Sequence, residues 1–485
     1  MIRLRGIALL GSALLVAVAQ ASVPERLHHY TVSIDADLSV LAVRACFAGK
    51  PPLYLVSESL DAASALRNVH LEGAKRKLEP NGTELKLGAA PDDSCLDYEA
   101  DFASFRGVHK HGGNPTRHVG RDLITDLGMW FWRPDSLAPD EDIEVRFELP
   151  PDISASAPWR VATDEQGRRV YRVGHTPYDW PAAVAFGHFT EWPIDVPGAI
   201  LRVAVLEGTP AVSFESVRAW VTRAAMAVTT AYGRFPVPSV QILVVPGARG
   251  EEPVPWAYVL RGGAPAAHFF INQRRPLSEF LTDWTPVHEL SHMLLPYISS
   301  EDAWLSEGLA SYYQNVLRAR AGMIDAGDAW QRLHGGFMRG MKSLPGVTLA
   351  DATERMFRDG AFMRVYWSGA AMMLMADQRL RERTGGAQSL DRALEALQRC
   401  CLAGEEGWRG AGLLDKLDQL TGTTVFRELY DEYVSSRRFP DIADAYQKLG
   451  LRVAADGETV ELLADAPQVA DRDAIMHPPA GTVVR

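Results

Sequence analysis

From residue 28 to about 205, apolar and polar positions alternate in short runs. Tyr30-Thr31-Val32-Ser33-Ile34 and Ile143-Glu144-Val145-Arg146-Phe147-Glu148-Leu149 show it most plainly. A period of two predicts half-buried strands, and the turn residues between runs predict an antiparallel β-domain. Asn81-Gly82, between two strand-like runs, is a hairpin signal. Near residue 210 the period changes. Phe214, Val217, Trp220, Val221, Ala224 and Ala227 recur at helical spacing, so the pattern predicts a helix over 213–231 that Gly233 and two prolines end. Residues 240–245, apolar except for Gln241, read as a short buried strand. A second candidate, 267–271, follows a flexible Arg261-Gly262-Gly263-Ala264 segment. Helical sequence dominates from about 276 to 447. Residues 451–462 read as a hairpin around Asp456-Gly457, followed by a polar, Pro-rich, loose tail. The expected division is 1–21, 22–205, 206–345, 346–447 and 448–485.

Composition changes this picture at the start of the chain. Arg3 and Arg5 precede an apolar run from Ile7 to Ala19, and Ala19-Gln20-Ala21 supplies small residues for cleavage after Ala21. This is the pattern of a secretory signal peptide. The run is shorter than the roughly 20 residues of a spanning helix, so the expected product is a soluble secreted or periplasmic protein with no stable membrane insertion. Losing residues 1–21 removes two arginines and no acids, taking the net charge from −11 to −13. Such an acidic chain without basic clusters is a poor nucleic-acid binder. In an oxidising compartment Cys46 and Cys95 can bridge. Cys400-Cys401 stays open between a vicinal bridge, two free thiols and one partner elsewhere. His109-Lys110-His111 and nearby His118 lack a completing carboxylate or cysteine and read as a solvated loop.

The chemistry concentrates in Thr285-Pro286-Val287-His288-Glu289-Leu290-Ser291-His292-Met293-Leu294-Leu295-Pro296. Thr285 suits an N-cap, Pro286 the first helical position, and Pro296 a stop. At 3.6 residues per turn His288 and His292 share a face and can converge on one ion. Glu289 is rotated by about 100° and flanks that ion instead of ligating it, which suits a base for a metal-activated water. Catalytic zinc usually takes three protein ligands and keeps one position open. Glu307, fourteen residues past His292, offers the third on a second helix that starts near Ser299 and Asp302 and stops at Gly322, with Gly308 allowing close helix approach.

His-Glu-x-x-His followed by Trp304-Leu305-Ser306-Glu307-Gly308-Leu309-Ala310-Ser311-Tyr312 resembles the gluzincin metallopeptidases, in particular the aminopeptidase-N and glycyl-aminopeptidase families. The resemblance implies an α+β multidomain fold: an N-terminal antiparallel β-domain, a thermolysin-like zinc peptidase core and a C-terminal α-helical domain. It implies one Zn2+ held by His288, His292 and Glu307, with Glu289 as general base and a peptide as substrate. Tyr366, in Tyr366-Trp367-Ser368-Gly369-Ala370, matches the tyrosine that supplies a hydroxyl to the oxyanion in those families. Asp302 matches an acidic position of the motif, although charge complementarity at a helix N-terminus explains it more simply.

Three departures stand out. The stretch between ligands is shorter than usual, the trailing PDZ-like domain is absent, and the Gly-x-Met-Glu-Asn element has no match. Arg261-Gly262-Gly263-Ala264-Pro265 occupies the place of that element, and the nearest upstream acids are Glu251 and Glu252. A catalytically silent peptide-binding relative and a zinc hydrolase of a non-peptide substrate are the competing readings. The complete set of His288, Glu289, His292 and Glu307 favours the active peptidase over the silent one.

Overall fold

The alternating N-terminal runs form a seven-stranded sheet in a computed structural model that describes residues 26–74, 77–103, 116–174, 182–402 and 407–478. The expected signal segment, His109 and His111 lie outside those residues. The sheet order is Arg160–Thr163, Arg169–Arg172, Glu141–Glu148, Arg26–Ile34, Val40–Cys46, Cys95–Asp101 and Leu66–Leu71. All neighbours are antiparallel except Arg26–Ile34 and Glu141–Glu148, which run parallel. Tyr30, Val32 and Ile34 point inward at the period of two that the sequence carries, onto a core that includes Trp130, Trp132 and Trp159. Cys46 lies directly opposite Cys95 across two strands, and the pair is disulfide-bonded. Cys400 and Cys401 are bonded to each other, which settles the open alternatives in favour of the vicinal bridge.

A second sheet positions the site. Its order is Glu191–Val196, Ala199–Val205, Ser239–Pro246, Ala266–Ile271 and Trp256–Leu260. It crosses the boundary expected at residue 205, because Ala199–Val205 pairs in parallel with Ser239–Pro246. One face, with Val203, Ile242, Val244 and Phe269, is covered by helices. Ala204, Leu243 and Val245 on the other face pack against Ile124, Ala183 and Ala185 of a four-stranded sheet. The helix predicted at 213–231 spans Phe214–Thr229, with the Ser213 hydroxyl accepting from the Ser216 amide. Trp256–Leu260 is the edge strand that ends the sheet beside Ala266–Ile271. The sequence reading did not identify it, and the flexible segment expected at 261–264 is the turn of its hairpin with Ala266–Ile271.

Helix Ala303–Arg320, the glutamate helix, is buried on nearly every side. The sequence suggested that Gly308 admits the histidine-bearing helix. The structure places a different partner there: Phe362–Thr384, the tyrosine helix. A Cβ on Gly308 would overlap the backbone of Gly369, and one on Gly369 would overlap the Trp304 carbonyl. The two helices therefore cross glycine on glycine, at the residue after Glu307 and about one turn past Tyr366. Ala371, Met372, Met373, Leu374 and Met375 are buried core, as their run suggests.

The C-terminal hairpin forms as predicted, from Leu451–Val453 and Val460–Leu462 with Gly457 at φ 70°. The loose tail expected within 448–485 is corrected: Val469–Met476 is a helix. Ile475 and Met476 are buried, and the Arg320 Nε donates to the Ile475 carbonyl at 2.9 Å. Two adjacent apolar residues in a polar stretch carry no helical period, so the sequence gives no warning of this docking.

Candidate metal centre

The histidine helix spans Thr285–Ser291. Thr285 is its first residue and not the expected cap; the Asp283 carboxylate accepts from the Thr285 amide at 2.6 Å and does that work. Pro286 fits the first turn, where no intrahelical donor is lost. A single 3-10 turn, His292–Leu294, follows before Pro296. His292 thus sits at the junction of two helical forms. One turn of helix still separates it from His288, and the two rings stand perpendicular with centroids 5.0 Å apart.

Glu307 meets both from the glutamate helix. Its Oε2 lies 3.3 Å from His288 Nε2 and 3.5 Å from His292 Nε2. One ligand atom from each residue lies within 4.8 Å of the others, and among the described residues no other trio of His, Cys, Asp or Glu side chains converges in this way. Two donors at zinc distances of 2.0–2.1 Å and a tetrahedral angle are about 3.4 Å apart, so the spacing fits that ion. The outward nitrogens fit as well. His288 Nδ1 pairs with Gln314 Oε1 at 2.8 Å, and His292 Nδ1 pairs with Ser306 Oγ at 2.9 Å. With Nδ1 protonated and donating outward, each Nε2 is left as a lone-pair donor facing the cluster.

Charge reinforces the arrangement. Burial alone would raise the Glu307 carboxyl, but the two histidines hold it well below its usual range. Burial draws His292 down to about 4. It opposes charge on His288 too, yet the bond from Glu307 and the charge of Glu289 leave that imidazole above its ordinary value. Glu289 is pushed up to about 7, chiefly by burial, with His288 and Arg261 pulling against it and Glu307 adding to it. A carboxyl moved this far toward neutrality in a cleft is a candidate functional group.

The tyrosine helix brings Tyr366 to the same place. Its ring stacks over His288 with centroids 6.0 Å apart and planes 15° from parallel. Burial and the charges of Glu307 and Glu289 push its hydroxyl well above the usual range, so it stays a neutral donor. Asp302 does not face the cluster. Its carboxylate accepts from the Gly410 amide at 2.8 Å and from Arg409 Nε at 3.2 Å, holding the start of helix Gly410–Thr421 against the start of the glutamate helix. The helix end it complements is that of Gly410–Thr421, where its own helix was expected.

Sequence reasoning missed three partners. Gln314 lies seven residues, two turns, beyond Glu307, a spacing that could have flagged it. Ser306 adjoins the ligand. Arg261 lies in the segment whose glycines suggest a flexible turn, but its Nη1 donates to the His292 and Pro296 carbonyls at 2.9 and 3.2 Å and its Nη2 to Ser306 Oγ at 2.8 Å. Beside the cluster runs the edge strand, whose outer edge has no strand partner among the described residues. Ala257 and Val259 face the helices, whereas Tyr258 and Leu260 face the N-terminal core. Glu251 and Glu252 are exposed in the loop before it.

No protein-family model matches the sequence, and a search of curated proteins finds no match. Solved structures do match. An aminopeptidase N family protein from Idiomarina loihiensis is 14% identical with a TM-score of 0.64, covering 88% of this chain and 79% of its own. An M1 zinc metallopeptidase from Deinococcus radiodurans is 16% identical with a TM-score of 0.54, covering 86% and 94%. A variant of that enzyme, bound to a Tyr-Ser-Ala substrate, matches at 15% identity with a TM-score of 0.54 over the same shares. A β-rich N-terminal part, a sheet flanked by the histidine and glutamate helices, and a helical C-terminal part together give this chain the fold of the aminopeptidase N family and the M1 zinc metallopeptidases.

Proposed function

We propose that this protein is a zinc-dependent metallopeptidase with His288, His292 and Glu307 as ligands, Glu289 as general base and Tyr366 as oxyanion donor. The observation that carries the reading is the convergence of the three ligand atoms within 4.8 Å of one another, with Glu289 on the turn beside them. Zinc bound there would supply Lewis acidity to a water and to the scissile carbonyl. Glu289 takes the proton of the attacking water and returns it to the departing amine. Tyr366 donates a hydrogen bond to the oxygen on which negative charge develops, an interaction absent from the ground state and therefore catalytic. The free edge of Trp256–Leu260 accepts an extended peptide as an added strand. The peptide bound by the Deinococcus radiodurans neighbour supports the same substrate class.

An ammonium group buried without a partner is costly, so an enzyme that reads a free N-terminus needs an anion to receive it. On the edge strand the side chains facing the helices are Ala257 and Val259, and the next residue past the strand is the cation Arg261. This reading therefore has cleavage that does not depend on a free amine. Matched peptides with free and N-acetylated termini, incubated with and without a chelator, test it. Cleavage of both forms, abolished by the chelator, is the expected result. Loss of all cleavage on acetylation would require an acid that receives the amine. Chelator-insensitive cleavage, or none of any peptide, would sink the peptidase.

Export to an oxidising compartment belongs to the same proposal, supported by the Cys46–Cys95 and Cys400–Cys401 bridges. Intact-mass measurement of the exported chain should give a species beginning at Ser22. An N-terminus at Met1 would remove the cleaved signal peptide.

A further inference from the structure

We infer that Arg261 is a positioning residue that ties the edge strand to the metal ligand His292 through Ser306. The inference rests on the metal site proposed above and adds to it a mechanical link between where a peptide would lie and where the ion would sit.

The argument starts from position. Arg261 is the first residue past Trp256–Leu260, and Gly262 at φ 87° turns the chain away immediately after it. Only glycine takes that backbone freely, so the arginine is fixed at a reversal and its side chain is delivered to one side. It reaches the far end of the histidine helix. There the His292 and Pro296 carbonyls flank the break between the 3-10 turn and the proline, where helical partners run out. Its second nitrogen donates to Ser306 Oγ, which pairs in turn with His292 Nδ1.

Chemistry explains why arginine suits this role. A guanidinium is planar and only donates, so one side chain satisfies three acceptors in fixed directions, which a lysine ammonium does less well. The Ser306 hydroxyl has two lone pairs. Arg261 engages one, and the Nδ1–H of a histidine that ligates through Nε2 takes the other. The oxygen that orients the His292 ring is thus itself held by a residue of the sheet edge. Burying a cation here is costly, and burial draws the Arg261 guanidinium down to about 10. The neighbouring carboxylates of Glu307 and Glu289 offset part of that cost. Propping a turn needs only the two carbonyl bonds. The third bond, to Ser306, is the one that bears on the metal ligand.

The test uses the full-length protein and zinc alone. Zinc dissociation constants are measured by competition with a chelating dye, beside the melting temperature of the zinc-stripped protein. Arg261→Met keeps the stem and removes every donor; Ser306→Ala removes the relay and leaves Arg261 its carbonyls. Each should weaken zinc binding about 10–100-fold, the usual range for partners that orient ligands. The double variant should be little weaker than the worse single one, because both changes break one chain of contacts. Arg261→Lys should recover part of the loss. Parent-like zinc affinity in Arg261→Met with only a lowered melting temperature would overturn the inference, as would full additivity in the double variant. Should Arg261→Met not fold, parent-like affinity in Ser306→Ala overturns it equally. Failure of the parent to bind zinc is a separate result, and it would remove the metal site itself.

Discussion

Replacing Glu289 with glutamine should leave about one zinc per chain and lower turnover about 10²–10⁴-fold, the range attributed to general acid–base groups. Glutamine matches glutamate in shape, so the packing around the histidine helix is kept. The amide cannot accept a proton from water, so the step that generates the nucleophile is lost. The sharpness of this prediction comes from geometry. Glu289 adjoins His288 in sequence but lies about 100° around the helix from it, so the change removes a base without removing a ligand. Metal analysis and steady-state kinetics on one preparation separate the two effects. Turnover equal to the parent would end the role given to Glu289, and loss of zinc would move Glu289 into the ligand set.

Glu307→Ala should have the larger effect on metal, reducing zinc content to a small fraction of one per chain. Two imidazoles one turn apart remain, but the carboxylate that lies within 3.5 Å of both is gone. The loss extends to stability. A ligand present at 1,000 times its dissociation constant stabilises the folded state by about 4 kcal/mol, so the parent should melt at a higher temperature when zinc is added. The variant should show little or no such shift. A full complement of zinc in Glu307→Ala, with the usual shift, would take Glu307 out of the site.

The meeting of His288, His292 and Glu307 was legible in sequence because each half obeys a local rule. Helical spacing puts the two histidines on one face, and a second helix after a short turn returns Glu307 to them, although the capping that Ser299 and Asp302 suggest does not form there. Tyr366 was legible only through resemblance; nothing in its helix distinguishes it from the apolar residues around it. The glycine crossing was half visible. Gly308 signals close approach, but whether the histidine helix or the tyrosine helix fills the space depends on packing across some sixty residues of sequence. The edge strand was hidden because Trp256–Leu260 is short, lacks alternation and is followed, after Arg261, by two glycines. Arg261 was hidden with it. A sheet can also recruit strands from either side of a compositional boundary, as Glu191–Val196 and Ala199–Val205 do here, and pairing partners are not written in the local pattern.

The unpaired edge beside the cluster has a consequence for how the protein behaves among copies of itself. Open strand edges are templates for self-association, and most proteins cover or shorten them. This chain keeps its edge open yet limits the hazard. The strand is five residues long. Pro253 and Pro255, which have no N–H to donate, precede it, and a buried cation at a tight reversal closes its other end. A second folded copy offering its own edge would gain only a short ladder of hydrogen bonds. For a flexible peptide, the proposed occupant of this edge, the limit is weaker, because past the strand the His288, His292 and Glu307 cluster still lies within its reach. Brevity of the strand thus limits self-pairing without covering the edge beside the cluster.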